Sequence, residues 1–555
     1  MHSWRLILAL AAAGSVSWTR DVTVTLLATT DLHGNLYPID YYTGEPVDRG
    51  LAKIASLVET VRRENPNTLL MDCGDTIQGT PLESLYQHYV ITGRLPLSLR
   101  FSGEPLRGDP MMLAMNRLGY RAMVLGNHEF NFGLKSLERA RADAQFPWLS
   151  ANTAVTPGAK VKPFEPYIVE TLDGVKVAVV GLTTPDIPQW EQPAHYRGYR
   201  FLPLAESGRA ALSELRRKHR PDLVVLAVHD EVDDKLAAAF PGVDAIVFGH
   251  THQQVAGRRV GDVLVVQPKN WGVSLARLDF LLTGAPGDWK VAEKRSRLVR
   301  VTEKTPAEEA ILRLAQPYHE VTERYLTKPV AEAPAAMDSR LGRVMDSPLV
   351  DAIHQVQLYY AKADVSFTAL FNTRVTVPKG PVTIRQIAAL YIYENELYAV
   401  EGTGRMVREA LENAARFFRS CPDEACSHGP LMNRAIPGFN YDMAEGVDYE
   451  IDLRRPGGQR VVNLRWKGRP LQPEQKLRIA VNNYRAGGSG GYGMFRDAKV
   501  LWRSSEDIRS LVISYYMARK KLPAKADDNW RIVPEAARKI LEAETLGEGE
   551  RVPAQ

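Results

Sequence analysis

Cysteine is scarce, with three in 555 residues. That excludes a small disulfide-framework fold and leaves no set of thiolates for a soft metal. Runs of lysine and arginine interleaved with aromatics are also missing. The net charge of +5 is small for this length, so a nucleic-acid polymer is not an expected partner. Long apolar runs are absent. The longest near the start, Leu6 to Gly14, is too short to span a bilayer, so no membrane span is expected once that segment is removed. There is no internal repeat and no low-complexity tract. What remains is an ordinary globular composition, 45% apolar and 24% charged. The chain is too long for one core, and at about 150 residues per domain two to four are expected.

The start, "MHSWRLILALAAAGSVSWTRD", places one arginine before the short apolar run and small residues after it. Residues 1–18 therefore have the form of a secretory signal peptide, which implies a periplasmic or secreted protein. In such a chain Cys421 and Cys426, in the loop-like "CPDEAC", are expected to bond to each other, and Cys73 is read as a small buried residue.

From residue 21 to about 300, short apolar strands alternate with helical stretches. "DVTVTLLATTD", "NTLLMDCGD", "RAMVLGNHEF", "PDLVVLAVHDE" and "VDAIVFGHTHQQV" each end in a polar loop. "DPMMLAMNRLG" reads as a helix with Asp109 and Pro110 at its N-cap and first turn. Repeated strand-loop-helix units predict an α/β layered domain with its chemistry where strands end. Residues 303–334 contain a charged amphipathic connector helix. A second α/β unit occupies 335–530, and 531–555 reads as a tail, disordered at "AETLGEGERVPAQ".

The strand ends carry an unusual set of side chains: Asp31 and His33, Asp75, Asn127 and His128, His229, then His250 and His252. Any one of these residues is ordinary. Carboxylates and imidazoles on converging strand ends must be paired or bind something. The mixture suits borderline divalent ions such as Zn, Mn, Co or Fe, and there are too many groups for one tetrahedral ion. Two ions about 3.5–4 Å apart, bridged by one carboxylate, would use them all. Asp75 is the bridging candidate, because ligand candidates flank it on both sides in chain order.

"DLHGN", "GDTIQG", "GNHEF" and "GHTH", in that order, resemble the calcineurin-like metallophosphoesterases. The resemblance implies one metal on Asp31, His33, Asp75 and His252 and another on Asp75, Asn127, His229 and His250. His128 is then a catalytic residue rather than a ligand. "LGRVMDSPLVDAI", "FTALFNTRVTVPKGPVTIRQI", "YIYENELYAVEGTG" and "NNYRAGGSGGYGMF" resemble the C-terminal domain of the 5′-nucleotidases. The implied architecture is an N-terminal four-layer αββα phosphoesterase domain followed by an α/β substrate domain. "ATTDLHGNLYPIDYYTG" and "IPGFNYDMAEGVDYEIDL" further resemble the 2′,3′-cyclic-nucleotide 2′-phosphodiesterase/3′-nucleotidases. In that branch Asn131 stands where a 5′-nucleotidase usually carries an aspartate beside its catalytic histidine. A small-molecule nucleotide is the implied substrate. Tyr441 and Tyr492 are the expected base-stacking residues, with Phe439 and Tyr484 next in line. Asn372 and Arg374, in "FNTR", are expected to hold phosphate or ribose. "AGGSGGYG" lacks the strand-to-helix setting of a phosphate-binding loop. A 5′-nucleotidase or nucleotide-sugar hydrolase on the same scaffold is the alternative. A nucleotide-binding protein with a dead site would be expected to have lost ligands.

Overall fold

The computed structural model describes residues 19–100, 108–393, 395–421, 423–426 and 430–547. The signal-peptide reading of 1–18 and the last residues of the tail lie outside them. Two six-stranded sheets stack face to face in the N-terminal half. The first runs Lys290–Arg300, Ser274–Gly284, Arg20–Thr29, Thr68–Asp72, Ala122–Val124, Trp148–Leu149. The second runs Val255–Val260, Val263–Gln267, Ala245–Gly249, Leu223–His229, Val175–Thr183, Tyr167–Leu172.

Strand Leu223–His229 shows why four layers form. Successive side chains of a strand point to opposite faces. Its Val225 and Ala227 enter the core between the sheets with Val24, Leu26, Val179 and Val247. Its Val224, Leu226 and Val228 pack outward on Leu212 and Leu215 of helix Leu204–His219. A strand apolar on both faces must be covered on both. The first sheet is covered in the same way. Ile54, Val58 and Val61 form one face of helix Leu51–Glu64 and pack with Met112 and Met115 of helix Pro110–Leu118. Asp109 caps that second helix, its carboxylate accepting from the Met112 N–H at 3.0 Å.

Helix Glu309–Leu326 joins the halves and belongs to both cores. Ile311 and Ala315 pack into the first domain, whereas Tyr318 and Leu326 join the apolar cluster of the second. The C-terminal half holds a five-stranded sheet centred on Lys476–Asn482 and a four-stranded sheet containing Asp448–Asp452.

The expected tail is not free as far as Gly547. Strand Trp530–Val533 pairs in parallel with Asp448–Asp452, and helix Glu535–Gly547 follows it. Ala537 and Leu541 of that helix are buried, and the Glu544 carboxylate accepts from the backbone N–H groups of Leu431 and Met432. The sequence predicts disorder only at "AETLGEGERVPAQ", and the apolar face of this helix, Ala537 and Leu541, joins a core cluster with Leu431 and Met432, more than a hundred residues away in sequence. Cys421 and Cys426 are bonded, and Cys73 is a buried free thiol in the core between the sheets. No helix among the described residues is long and apolar enough to cross a membrane.

Candidate active site

Five strands, Arg20–Thr29, Thr68–Asp72, Ala122–Val124, Leu223–His229 and Ala245–Gly249, run into the motifs that carry the seven expected ligands. The first three are neighbouring parallel strands of one sheet, and the last two of the other. Their C-terminal ends therefore meet at one edge of the sandwich. The loops are strained there. Asp31, His33, Asp75, His250 and His252 all have left-handed backbones, with φ between 46° and 80°. Such a backbone costs a residue with a side chain about 1–3 kcal/mol and persists only where the surroundings enforce it. Two glycines allow the loops to meet. A Cβ on Gly126 would lie 2.2 Å from an Asp75 carboxylate oxygen, and one on Gly249 would lie 2.3 Å from the Thr30 hydroxyl.

The structure brings all seven side chains together. Donor atoms of Asp31, His33 and His252 lie within 4.8 Å of one another, as do those of Asp75, His229 and His250. Asp75 also groups with His33 and His128, so it lies between the two sets. The Asn127 amide oxygen faces His229 Nε2 at 3.1 Å and His250 Nδ1 at 3.0 Å. Asp31 and Asp75 are buried, and their ion-pair partners are histidines.

The donors fit divalent metal ions. His33 Nδ1 faces the Gln78 amide oxygen at 2.9 Å and carries its hydrogen there. The His33 lone pair is then on Nε2, which points at His252 Nε2 only 3.1 Å away. His229 is oriented likewise, Nδ1 donating to the Cys73 carbonyl at 2.7 Å and Nε2 facing Asp75 at 3.0 Å. Outer hydrogen bonds that fix the tautomer are the usual support of metal-binding imidazoles. The mixed nitrogen and oxygen set matches a borderline divalent ion.

The charges are tightly coupled. Burial opposes ionisation of Asp75, but His229, His128 and His33 outweigh it and hold the carboxyl well below its ordinary range. Burial is outweighed at Asp31 too, where His252 brings the carboxyl to about 2. His229 is raised to about 10 against burial by Asp75. Burial, aided by neighbouring imidazoles, lowers His33 and His250 to about 4.

His128 lies on the 3-10 turn His128–Phe130. Its backbone N–H donates to Asp75 at 2.8 Å, and its Nε2 lies 4.0 Å from the same carboxylate. Nδ1 is 2.6 Å from the Asn131 amide oxygen, which can only accept, so the ring proton on that side is fixed. The Asn131 amide nitrogen donates to buried Glu191, whose other oxygen lies 3.1 Å from His195 Nδ1. Asn131 thus bridges a donor and an acceptor, a task that suits an amide. Glu191 was missed from sequence because it lies sixty positions away.

Two further buried acids hold the loops. Glu129 accepts from the backbone N–H groups of Asp75, Thr76 and Gly126 at 3.0, 2.6 and 2.7 Å, clamping two ligand loops together. Burial, reinforced by Asp75, raises its carboxyl to about 7. Asp72 accepts from the Gly74 N–H and the Thr29 and Thr76 hydroxyls. An acidic residue closing an otherwise apolar strand was the available signal for Asp72. The position next to His128 was the signal for Glu129.

The substrate residues need correction. Tyr441 is 1% exposed and stacked on Phe417, and Tyr492 is 0% exposed and stacked on Phe495. The Tyr492 hydroxyl accepts from the Asp442 N–H and donates to the Asn440 carbonyl. Both rings are core, so neither presents a face to a base. Phe439 is 41% exposed and Tyr484 half-buried. They flank Arg485, which donates to the Phe439 carbonyl at 2.6 Å and lies over the Tyr484 ring. Asn483, next to Tyr484, donates to the Trp190 carbonyl at 3.0 Å, and the Trp190 ring lies against His250. The segment that carries Tyr484 therefore contacts the residue whose ring packs on His250. Asn372 caps a local turn, accepting from the Arg374 N–H at 3.0 Å, and the Arg374 side chain is exposed. A cavity of about 710 Å³ opens between the domains, lined by Asn131, Trp190, Glu191 and His195 on one side and Glu396, Asn483 and Arg509 on the other. None of the seven candidate ligand residues lines it.

Residues 24–254 match the calcineurin-like phosphoesterase family, and residues 326–497 match the 5′-nucleotidase C-terminal domain. A 2′,3′-cyclic-nucleotide 2′-phosphodiesterase/3′-nucleotidase of Salmonella typhimurium is 30% identical over 95% of this chain and 91% of its own length. The chain belongs to that nucleotide phosphohydrolase family. The phosphohydrolase also resembles the trifunctional nucleotide phosphoesterase protein YfkN of Bacillus subtilis. That match is 29% identical over 92% of this chain, which spans 39% of the length of YfkN. A Staphylococcus aureus structure described as a 5′-nucleotidase superposes with a TM-score of 0.75 at 26% identity, covering 92% of this chain and all of the other. The phosphohydrolase carries all seven ligand candidates inside its phosphoesterase match, and Phe439 and Tyr484 inside its 5′-nucleotidase match.

Proposed function

We propose that this phosphohydrolase is an exported enzyme that opens 2′,3′-cyclic nucleotides to 3′-nucleotides and then releases nucleoside and phosphate. The observation that carries the reading is the 30% identity, over nearly the full length of both chains, to a protein of that name. Asn131 and "YPIDYYTG" support it. The local disulfide Cys421–Cys426 fits an oxidising compartment, in line with the signal-like start.

Asp31, His33, Asp75 and His252 would hold one divalent ion, and Asp75, Asn127, His229 and His250 the other; Zn, Mn, Co and Fe all suit these donors. The bound ions would supply an activated water and neutralise charge on the phosphoryl group. The protein's own part is positional. His128, held through Nδ1 by Asn131, presents Nε2 to the space over Asp75, where it hydrogen-bonds a phosphoryl oxygen or gives a proton to the departing ribose oxygen. Phe439, exposed, and Tyr484, half-buried, offer the aromatic faces for the base. Both hydrolyses expel a ribose oxygen from phosphorus, so one site serves both.

The test is release of phosphate and nucleoside from 2′,3′-cyclic AMP, 3′-AMP and 5′-AMP with Mn²⁺ or Co²⁺, and with chelator. The proposal expects the first two to turn over well, 5′-AMP poorly, and chelator to stop all three. Preferential hydrolysis of 5′-AMP would replace it with a 5′-nucleotidase reading, which the Staphylococcus aureus likeness favours.

A further inference from the structure

A second group of carboxylates lies in the C-terminal domain, apart from the seven ligands. Asp346 immediately precedes Ser347, the N-cap of helix Pro348–Ala361, and Asp351 lies in the first turn of that helix. Asp527 lies in the segment before strand Trp530–Val533. One oxygen from each lies within 4.8 Å of the others. Glu445, at the end of strand Asp442–Glu445, is a fourth carboxyl group that interacts electrostatically with Asp351 and Asp527.

Asp351 makes the cluster more than a solvated acidic patch. The residue is 5% exposed, its Oδ2 has no donor facing it, and burial with the Asp346 carboxylate beside it raises its carboxyl to about 9, so that without a cation the cluster must hold a proton. A buried carboxylate oxygen left unpaired among like charges is costly, and proteins tolerate one where something positive completes it. Among the described residues no lysine or arginine forms an ion pair with Asp346, Asp351, Asp527 or Glu445. The other oxygens are already arranged by backbone donors. Asp346 accepts from the Ser347 and Asp528 N–H groups at 2.9 and 2.8 Å, Asp527 from the Asn529 N–H at 3.3 Å, and Glu445 from the Gly446 N–H at 3.0 Å. Asn529 donates its amide to the Ala444 and Val447 carbonyls, and its own Oδ1 is buried without a partner.

We infer that Asp346, Asp351 and Asp527, with Glu445 beside them, form a structural binding site for a hard divalent cation, calcium in particular. All the donors are oxygen, which selects calcium or magnesium over the borderline ions suited to the imidazole site. Calcium–oxygen bonds of about 2.3–2.6 Å let opposite ligands stand roughly 4.6–5.2 Å apart, which admits any spacing up to the 4.8 Å within which these oxygens lie; magnesium, at about 2.0–2.1 Å, demands a tighter, near-octahedral set. The ion would tie the start of one helix to a strand end and to the segment leading into strand Trp530–Val533, joining three stretches distant in sequence. It is independent of the reaction proposed above.

The test is thermal unfolding of the Mn²⁺-loaded full chain, titrated with Ca²⁺ and separately with Mg²⁺. Wild type should gain several degrees in Tm at millimolar Ca²⁺, with a smaller gain from Mg²⁺. Asp351→Asn and Asp527→Asn should abolish the Ca²⁺-dependent gain. Without Ca²⁺ they should melt no lower than wild type, because a like charge has been removed. The exposed Asp527 position keeps the test interpretable if the buried substitution fails to fold. The inference is overturned if Ca²⁺ produces no shift at 10 mM, or if the shift persists in Asp527→Asn, which would place the ion elsewhere. It is also overturned if Asp527→Asn lowers Tm equally with and without Ca²⁺, which would make the cluster a hydrogen-bonded feature alone. Binding of Mg²⁺ with no response to Ca²⁺ would overturn the calcium assignment.

Discussion

Asn131 invites a test by reciprocal exchange. Its oxygen accepts from His128 and its nitrogen donates to Glu191. Asn131→Asp keeps the first contact and turns the second into two facing carboxylates in a buried setting. The lost charge-assisted hydrogen bond is worth about 1.5–3 kcal/mol. Two unit charges about 4 Å apart repel by about 4 kcal/mol at an effective dielectric of 20, until proton uptake or movement relieves them. If about 2–3 kcal/mol of this reaches the placement of His128, kcat falls roughly 30- to 150-fold. Glu191→Gln alone keeps an acceptor for Asn131 and loses only the charge, a loss of about 1 kcal/mol or fivefold. In the double variant N131D/E191Q the glutamine nitrogen donates to the new carboxylate and its oxygen still accepts from His195. Activity should recover to within about tenfold of wild type, giving a coupling energy of about 2 kcal/mol. The assay is kcat on saturating 2′,3′-cyclic AMP, with Tm and bound metal measured for all four proteins. The reasoning fails if Glu191→Gln lowers kcat by the same factor in both backgrounds, or if Asn131→Asp alone is fully active.

The corrected aromatic assignment separates by observable. Phe439→Ala and Tyr484→Ala should raise KM at unchanged Tm, whereas Tyr441→Ala and Tyr492→Ala should destabilise the fold by about 3–5 kcal/mol; equal KM effects in all four would refute the division. Glu129→Gln replaces an all-acceptor clamp with one that must turn a donor toward backbone N–H groups. It should weaken metal retention about 10- to 100-fold, read by competition with a chelator, at little change in the far-UV spectrum. His354 is buried and held neutral, its imidazole lowered to about 3 by burial. Below pH ~6.5 the unfolded chain takes up a proton that the folded chain refuses, so stability falls with pH, by about 2 kcal/mol at pH 5 relative to pH 7. His354→Gln should flatten that part of the acid limb in urea melts at pH 7 and pH 5, and an unchanged pH slope would sink the assignment.

The α/β layering and the gathering of polar motifs at strand ends were legible in the sequence because both depend on local order. Strands apolar on both faces announce sheets covered on both sides, and polar motifs at their ends announce the edge where side chains can meet. Asp109 with Pro110 marked its helix start for the same reason: a cap is a contact between near neighbours. What the sequence alone could not decide depends on contacts between distant segments. Phe439 and Tyr441 stand two positions apart, and only the packing of Tyr441 on Phe417 shows which ring is core. The helix Glu535–Gly547 looked like a charged tail until Leu431 and Met432 supplied a surface for it. Glu191 and Asp351 carry no motif at all. Their significance comes from burial beside groups far along the chain, and burial is a property of the packed tertiary structure rather than of any one segment.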